Sequence, residues 1–313
     1  MSGAAQHEGL LERPDGARIW WERWGGGPVP ALFLHGGPGS GLSEHHRAYF
    51  DPEVNTVVGL DQRGCARSTP SAADDLEALG RNTTQTLLAD IEALRDQQGV
   101  DSWLVVGLSW GATLALAYAE AHPDRVSGLV LGAVTTTSRS EVEWITQDLR
   151  HVFPREWEQL REAADPAEGE RVVDALYRRI TGPDPSAREA AAIAWGAWEN
   201  THGSLDPGFA PDPRWQDPHK RREVATLVLH YWSHSAFLGD AGILDRADRL
   251  AGIPGVLVHG RRDLSSSLSV PYDLQRSWPE AELIVVDDEG HYGPAIFAAV
   301  RRGVSRLSAL RVR

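Results

Sequence analysis

The sequence predicts an α/β fold, a mainly parallel sheet with helices on both faces and an inserted helical cap domain. Two observations carry this expectation. Short apolar runs bounded by Gly, Pro or Asp alternate with stretches of helical periodicity, and one long segment breaks that alternation with helical pattern alone. At 313 residues the chain has room for such a core and insert, and 42% hydrophobic with 24% charged residues is the balance of a globular protein.

The apolar runs at 17–24, 29–35, 54–61, 103–107, 129–133, 255–259 and 283–286 read as strands. Between them, 83–98 reads as a helix opened by Asn82 as its cap, and 111–122 as a helix ended by Pro123. Strand and helix in alternation imply parallel pairing with both faces covered. Residues 138–238 depart from this rhythm: Trp, Arg, Glu and Ala recur at helical spacing, with a proline-punctuated stretch at 207–218. The expected division is a core of 1–137 and 239–313 with a helical cap of 138–238. The cap holds Trp144, Trp157, Trp195, Trp198, Trp215 and Trp232, expected mostly to pack, with some lining a pocket against the core.

A formal net charge of -13 argues against a nucleic-acid partner, since phosphate contacts need clustered Lys and Arg. Arg301, Arg302, Arg306, Arg311 and Arg313 read instead as a solvated helix face. Cys65 is the single cysteine, so no intrachain disulfide forms, which fits a reducing, cytoplasmic setting. Residues 1–13 lack the apolar core of a secretory signal, and no run of about 18 apolar residues could span a bilayer. His45 and His46 are adjacent and no His-Glu-x-x-His motif occurs, so neither metal nor cofactor is implied. The expected partner is a small molecule or short peptide, and nothing in the sequence bears on oligomeric state.

Gly107-Leu108-Ser109-Trp110-Gly111 follows an apolar strand and precedes a clean helix, the context of a nucleophile elbow in an α/β-hydrolase fold. So tight a turn leaves no room for side chains beside the serine, and the helix N-terminus beneath it favours developing negative charge. His35-Gly36-Gly37-Pro38-Gly39 ends an earlier strand, where this fold takes its second oxyanion donor. The backbone N–H groups of Gly37 and Trp110 are the candidate pair. No Gly-Lys-Ser/Thr follows the glycines, which excludes a phosphate-binding P-loop.

In this fold the order along the chain is Ser, acid, His. Asp263 ends the strand pattern of 255–259, and His291 follows that of 283–286. Among 12 histidines, His35 belongs to the oxyanion loop, His122 ends a helix and His259 lies inside a strand, which leaves His291 as the base. Asp287 and Asp288 are rival acids, but they share a loop with His291, whereas Asp263 arrives from a separate strand. Cys65 fits a packed residue better than a reactive thiol.

With these motifs placed, the sequence resembles the prolyl aminopeptidase (proline iminopeptidase) family of serine peptidases. The resemblance rests on 35–39, on Asp61-Gln62-Arg63-Gly64-Cys65-Ala66-Arg67-Ser68, on Asn82-Thr83-Thr84, on Ser109-Trp110-Gly111 with 114–118, on His122-Pro123-Asp124-Arg125-Val126, on 260–263 and on Gly290-His291. The Asp-Gln-Arg-Gly segment is the most specific of these. The resemblance implies release of an N-terminal proline, with the free amine held by acids in the cap. Trp198-Glu199 looks like one such acid in its setting. Where the family usually reads Ile-Glu-Asn-His-Tyr-Phe, this chain has Leu227-Val228-Leu229-His230-Tyr231-Trp232, so Val228 replaces the second acid. Leu131-Gly132-Ala133-Val134-Thr135 likewise stands where the family has Leu-Arg-Gly-Ile-Phe.

The expected substrate pocket therefore comprises Glu199, Trp198, Val228 and Trp232. Proline is expected to be a poor substrate, because an imperfectly paired buried ammonium is costly. The leading expectation is hydrolysis of an amide or ester through an acyl-Ser109 intermediate. Acyl transfer or cyclisation on the same acyl-enzyme, and ligand binding without catalysis, are the alternatives.

Overall fold

Side-chain alternation along the central strands decides the layering. In the strand Val29–Leu34, Ala31 and Phe33 enter one hydrophobic core while Leu32 and Leu34 enter another on the opposite face. In Trp103–Leu108, Trp103 and Val105 join the second of these cores, and Leu104 and Val106 the first. A sheet apolar on both faces must be covered twice.

The computed structural model describes residues 6–239 and 242–311. The strands are β1 (His7–Glu12), β2 (Arg18–Gly25), β3 (Val29–Leu34), β4 (Asn55–Leu60), β5 (Trp103–Leu108), β6 (Val126–Gly132), β7 (Gly255–Gly260) and β8 (Ala281–Val286). They form one eight-stranded sheet in the order β1-β2-β4-β3-β5-β6-β7-β8. β2 pairs antiparallel with β1 and with β4, and every other pairing is parallel. The edge strand β1 carries little apolar sequence and was not expected. β6 begins at Val126, earlier than the apolar run suggests.

Helices α1 (Leu76–Leu79), α2 (Thr84–Gln97) and α3 (Trp110–Ala121) precede or follow β5, and α4 (Arg139–Thr146), α5 (Pro154–Ala164), α6 (Val172–Ile180), α7 (Pro185–Gly203) and α8 (Pro218–Ser233) lie between β6 and β7. α9 (Ser269–Ser277) and α10 (Pro294–Ala309) flank β8. α2, α3 and α9 cover one face of the sheet, and α10 the other. Thr83, not Asn82, caps α2, its hydroxyl accepting from Thr86 N–H. Asn82 is drawn inward, donating to the Arg63 carbonyl at 3.1 Å and accepting from Tyr231 Oη at 2.6 Å. Arg301, Arg302 and Arg306 lie on the exposed face of α10, Arg311 is exposed beyond it, and Arg313 lies outside the described residues. Among the described residues no helix is long and apolar enough to cross a membrane.

α4 to α8 share a core of their own, built on residues such as Leu176, Trp195, Trp198 and Leu229. Polar ties seat this layer on the sheet. Glu223 of α8 accepts from Ala66 N–H and Ser71 Oγ, and Lys220 Nζ donates to the Gly39 carbonyl at 3.1 Å. Trp144 Nε1 donates to the Leu264 carbonyl at 2.9 Å.

The Asp-Gln-Arg-Gly segment follows β4 and is pinned by ions. Arg63 makes a two-pronged contact with Asp90 and reaches Asp15 at 2.6 Å, while Arg13 Nε lies 2.8 Å from Asp90. Burial pushes the Asp90 carboxyl up against the opposing pull of Arg63 and Arg13. Asp90→Ala leaves Arg13 without its carboxylate and Arg63 with Asp15 alone, and is expected to lower stability by about 3 kcal/mol, read as a lower urea midpoint with unchanged slope.

Candidate active site

Ser109 sits at the turn from β5 into α3 with φ 56° and ψ −125°, a conformation that few side-chain-bearing residues adopt. Its neighbours explain the motif. A Cβ on Gly107 would lie 2.2 Å from the Gly111 carbonyl oxygen, and one on Gly111 would lie 2.1 Å from that of Leu34. Only glycine permits β5, α3 and the end of β3 to meet this closely.

The parallel strands deliver the remaining groups at their C-terminal ends, where open α/β sheets bind ligands. His291 Nε2 lies 3.0 Å from Ser109 Oγ, and His291 Nδ1 lies 2.7 Å from Asp263 Oδ2. The other Asp263 oxygen accepts from the N–H groups of Ser265 at 2.8 Å and Ser266 at 3.1 Å. Burial alone would push the Asp263 carboxyl up, but His291, His259 and these amides hold it below its ordinary value. Being ionised, it only accepts, so His291 carries its proton on Nδ1 and turns a lone pair toward the Ser109 hydroxyl. Burial pulls His291 down, yet Asp263, Asp206 and Glu199 outweigh it and lift the imidazole above the ordinary histidine value. Asp287 and Asp288 stand outside, exposed and paired with Arg261 and Arg262.

Trp110 opens α3 and Gly37 lies in the loop after β3. Among the described residues neither backbone N–H is taken up in a hydrogen bond. The two segments are joined by Gln62, which donates Nε2 to the His35 carbonyl at 2.9 Å and accepts from Trp110 Nε1 at 2.7 Å. Burial pushes His35 down to about 4, so the ring is neutral, donates Nδ1 to the Gly36 carbonyl and accepts Gln62 N–H at 3.1 Å. Cys65 is buried in this cluster, its Sγ donating to the Gln62 carbonyl at 3.2 Å, and burial pushes the thiol up, away from a reactive thiolate.

Above Ser109 lies a cavity of about 310 Å³ between core and cap. Of the pocket residues expected from the sequence, Glu199, Val228 and Trp232 line it, as do Gly37, Trp110 and Thr135. Trp198 does not. One residue along α7 turns by about 100°, so while Glu199 faces the cavity, Trp198 is buried in the cap core against Phe153. Gly132 is also absent from the wall. A Cβ there would come within 2.6 Å of Leu108 and 2.9 Å of Val300, so this glycine serves sheet packing.

Among the lining residues with no place in the sequence reading, three make contacts that shape the site. Asp206 Oδ2 accepts the backbone N–H of His291 at 2.7 Å, Arg214 Nη1 donates to Ser40 Oγ at 2.9 Å, and His202 Nδ1 lies 2.8 Å from Ser265 Oγ. The contacts of Asp206 and Arg214 span the chain and leave no local signal. His202 is three residues after Glu199, a spacing that puts both on one helix face.

Residues 30–295 match the model of the α/β hydrolase fold family, which makes the chain an α/β hydrolase. The probable proline iminopeptidase of Streptomyces coelicolor is 42% identical over 289 residues, covering 90% of this chain and 89% of its own. The proline iminopeptidase of Neisseria gonorrhoeae is 38% identical over 308 residues and 96% of each chain. The chain therefore belongs to the proline iminopeptidase family of α/β hydrolases, which are enzymes. The crystal structure of proline iminopeptidase from Mycobacterium smegmatis has the same fold, with a TM-score of 0.60 at 19% identity, covering 97% of this chain and 100% of its own.

The charges around His291 make its titration a direct readout of the site. Its imidazole NMR resonances should titrate with a midpoint above the ordinary histidine value, and Asp206→Asn, by removing an anion that favours the protonated ring, should move that midpoint down.

Proposed function

We propose that this hydrolase removes the N-terminal residue of a short peptide or aminoacyl amide, with Ser109 as nucleophile, His291 as general base and acid, and Asp263 as the group that orients and stabilises the imidazole. The observation that carries this reading is the unbroken chain from Ser109 Oγ to Asp263 Oδ2 through His291 at the floor of the cavity.

Ser109 Oγ attacks the scissile carbonyl as its proton passes to His291 Nε2. The resulting oxyanion takes the free N–H groups of Gly37 and Trp110, each such donor being worth about 2.7–4 kcal/mol in the transition state. Collapse of the tetrahedral species breaks the C–N bond, and the imidazolium returns its proton to the departing amine. Water, deprotonated by His291, then releases the acyl group from Ser109.

A cavity of about 310 Å³ is at the small end of ligand sites and suits one or two residues. Four carboxylates line it, those of Glu141, Glu199, Asp206 and Asp212, and three are committed. Glu141 accepts from Thr135, Thr136 and Ser138, Asp206 holds the His291 amide, and Asp212 pairs with Arg214. Glu199 keeps one oxygen free, since Trp195 Nε1 takes only Oε1. It is our candidate for the substrate amine. Val228, Trp232 and Thr135 give the acyl residue a largely apolar wall, and with one free carboxylate an N-terminal proline is held weakly. The free, buried thiol of Cys65 is compatible with a reducing cytoplasm.

A panel of aminoacyl p-nitroanilides (prolyl and alanyl), their N-blocked forms and short p-nitrophenyl esters tests the reading on wild type and Ser109→Ala. Free-amine anilides should be the best substrates, and Ser109→Ala should lower kcat by about 10⁴-fold or more while abolishing fluorophosphonate labelling. Preference for blocked substrates, or turnover that survives Ser109→Ala, would overturn it.

A further inference from the structure

His202 occupies an unusual position. It is buried, lines the cavity, and reaches Ser265 Oγ through Nδ1, yet its Nε2 has no hydrogen-bond partner. That nitrogen lies 3.6 Å from Glu199 Oε2, which no donor of the described chain reaches. The separation exceeds a hydrogen bond, and two acceptors this far apart can share one donor group at ordinary hydrogen-bond distance once a small side-chain shift opens the buried Nε2 to the cavity. The groups facing His202 are Glu199 on its own helix and Asp263 and His291 from the loops after β7 and β8. Burial, the largest influence, holds the ring below the ordinary histidine value despite the pull of Glu199 and Asp263, with His291 acting in the same sense as burial. The contact with Ser265 allows either tautomer of the neutral ring, and the one that donates Nδ1–H to Ser265 presents Nε2 as the acceptor an incoming ammonium selects.

We propose that His202 is a substrate-contacting residue that, together with Glu199, receives the free α-amino group of the substrate's N-terminal residue. This rests on the aminopeptidase reading above and supplies the second acceptor that Val228 does not. Its charge logic is favourable. A carboxylate beside a neutral imidazole carries one negative charge, matching one ammonium, whereas two carboxylates this close would resist ionising together. The ammonium then keeps two charge-assisted or ion–dipole contacts.

Two isosteric variants separate the ring nitrogens. His202→Asn retains a polar atom near the Nδ1 position beside Ser265 and withdraws the acceptor at Nε2, while His202→Gln reaches the Nε2 position. With alanyl p-nitroanilide, His202→Asn should raise KM by about 10-fold or more, with kcat within about threefold of wild type and His202→Gln close to wild-type KM. Labelling of Ser109 by a fluorophosphonate, which carries no amine, should proceed at the wild-type rate in both. If His202 only props the Ser265 loop, kcat and labelling fall together, and that result overturns the proposal, as does an unchanged KM in His202→Asn. Wild-type protein that neither labels nor turns over the anilide would instead remove the hydrolase reading itself, and this inference with it.

Discussion

The closest constraint in the molecule is the contact of three backbones around Ser109. The end of β3, the end of β5 and the first turn of α3 approach so tightly that Gly107 and Gly111 each abut a carbonyl oxygen, and a Cβ on Gly36 would come within 3.3 Å of Ser109 Cβ. A left-handed serine costs on the order of 1–3 kcal/mol, and it persists because its surroundings permit nothing else. Trp110, Ala112, Leu114 and Ala115 are fully buried beside it, and Ser109 N–H donates to the Gly132 carbonyl at 3.0 Å. Gln62, just after β4, ties the loop after β3 to the first turn of α3 through the His35 carbonyl and the Trp110 indole. Serine, the loop after β3 and the sheet are thus one packing unit.

Around this unit the electrostatics sort acids by what surrounds them. Asp263 remains ionised in a buried place because an imidazole and two amides face it, and Glu141, equally buried, is satisfied by hydroxyls and amides at the start of α4. A cavity wall with four carboxylates therefore has fewer carboxylate oxygens open to a ligand than its composition suggests. Counting acids would have made this an ammonium trap of high valence, whereas following each oxygen to its donor leaves Glu199.

Much of the fold was legible because its signals are local or periodic. Two-residue alternation marks β3 and β5, glycines mark the turn at Ser109, and chain order points to Asp263 and His291, which lie within hydrogen-bond reach of one another and, through His291, of Ser109. Errors arose where a residue's partner lies far along the chain. Asn82 looked like a helix cap, but Tyr231 and the Arg63 carbonyl claim its side chain. Gly132 looked like a rewritten specificity position, although a Cβ there would press on the side-chain ends of Leu108 and Val300 and the residue does not line the cavity. Trp198 shared a dipeptide with Glu199 and was given the same role, yet the helical turn sends adjacent residues to different faces. β1 escaped because an edge strand needs little apolar sequence.

Helices α4 to α8 and the sheet have separate cores, yet their roles at the site are not separate. Asp206 crosses that division. It arises between α7 and α8, accepts the backbone N–H of His291, and raises the affinity of that imidazole for its proton. It also fits only because residue 290 is glycine, since a Cβ there would lie 1.9 Å from Asp206 Oδ1. The loop carrying the base is therefore seated from above by the cap as well as from below by β8. Glu199 and His202 descend from the helix that ends just before Asp206, so the groups that would meet a substrate's amine and the group that tunes the base ride on one continuous segment. A shift of that segment would move Glu199 and His202 and, through Asp206, change the proton affinity of His291 at the same time.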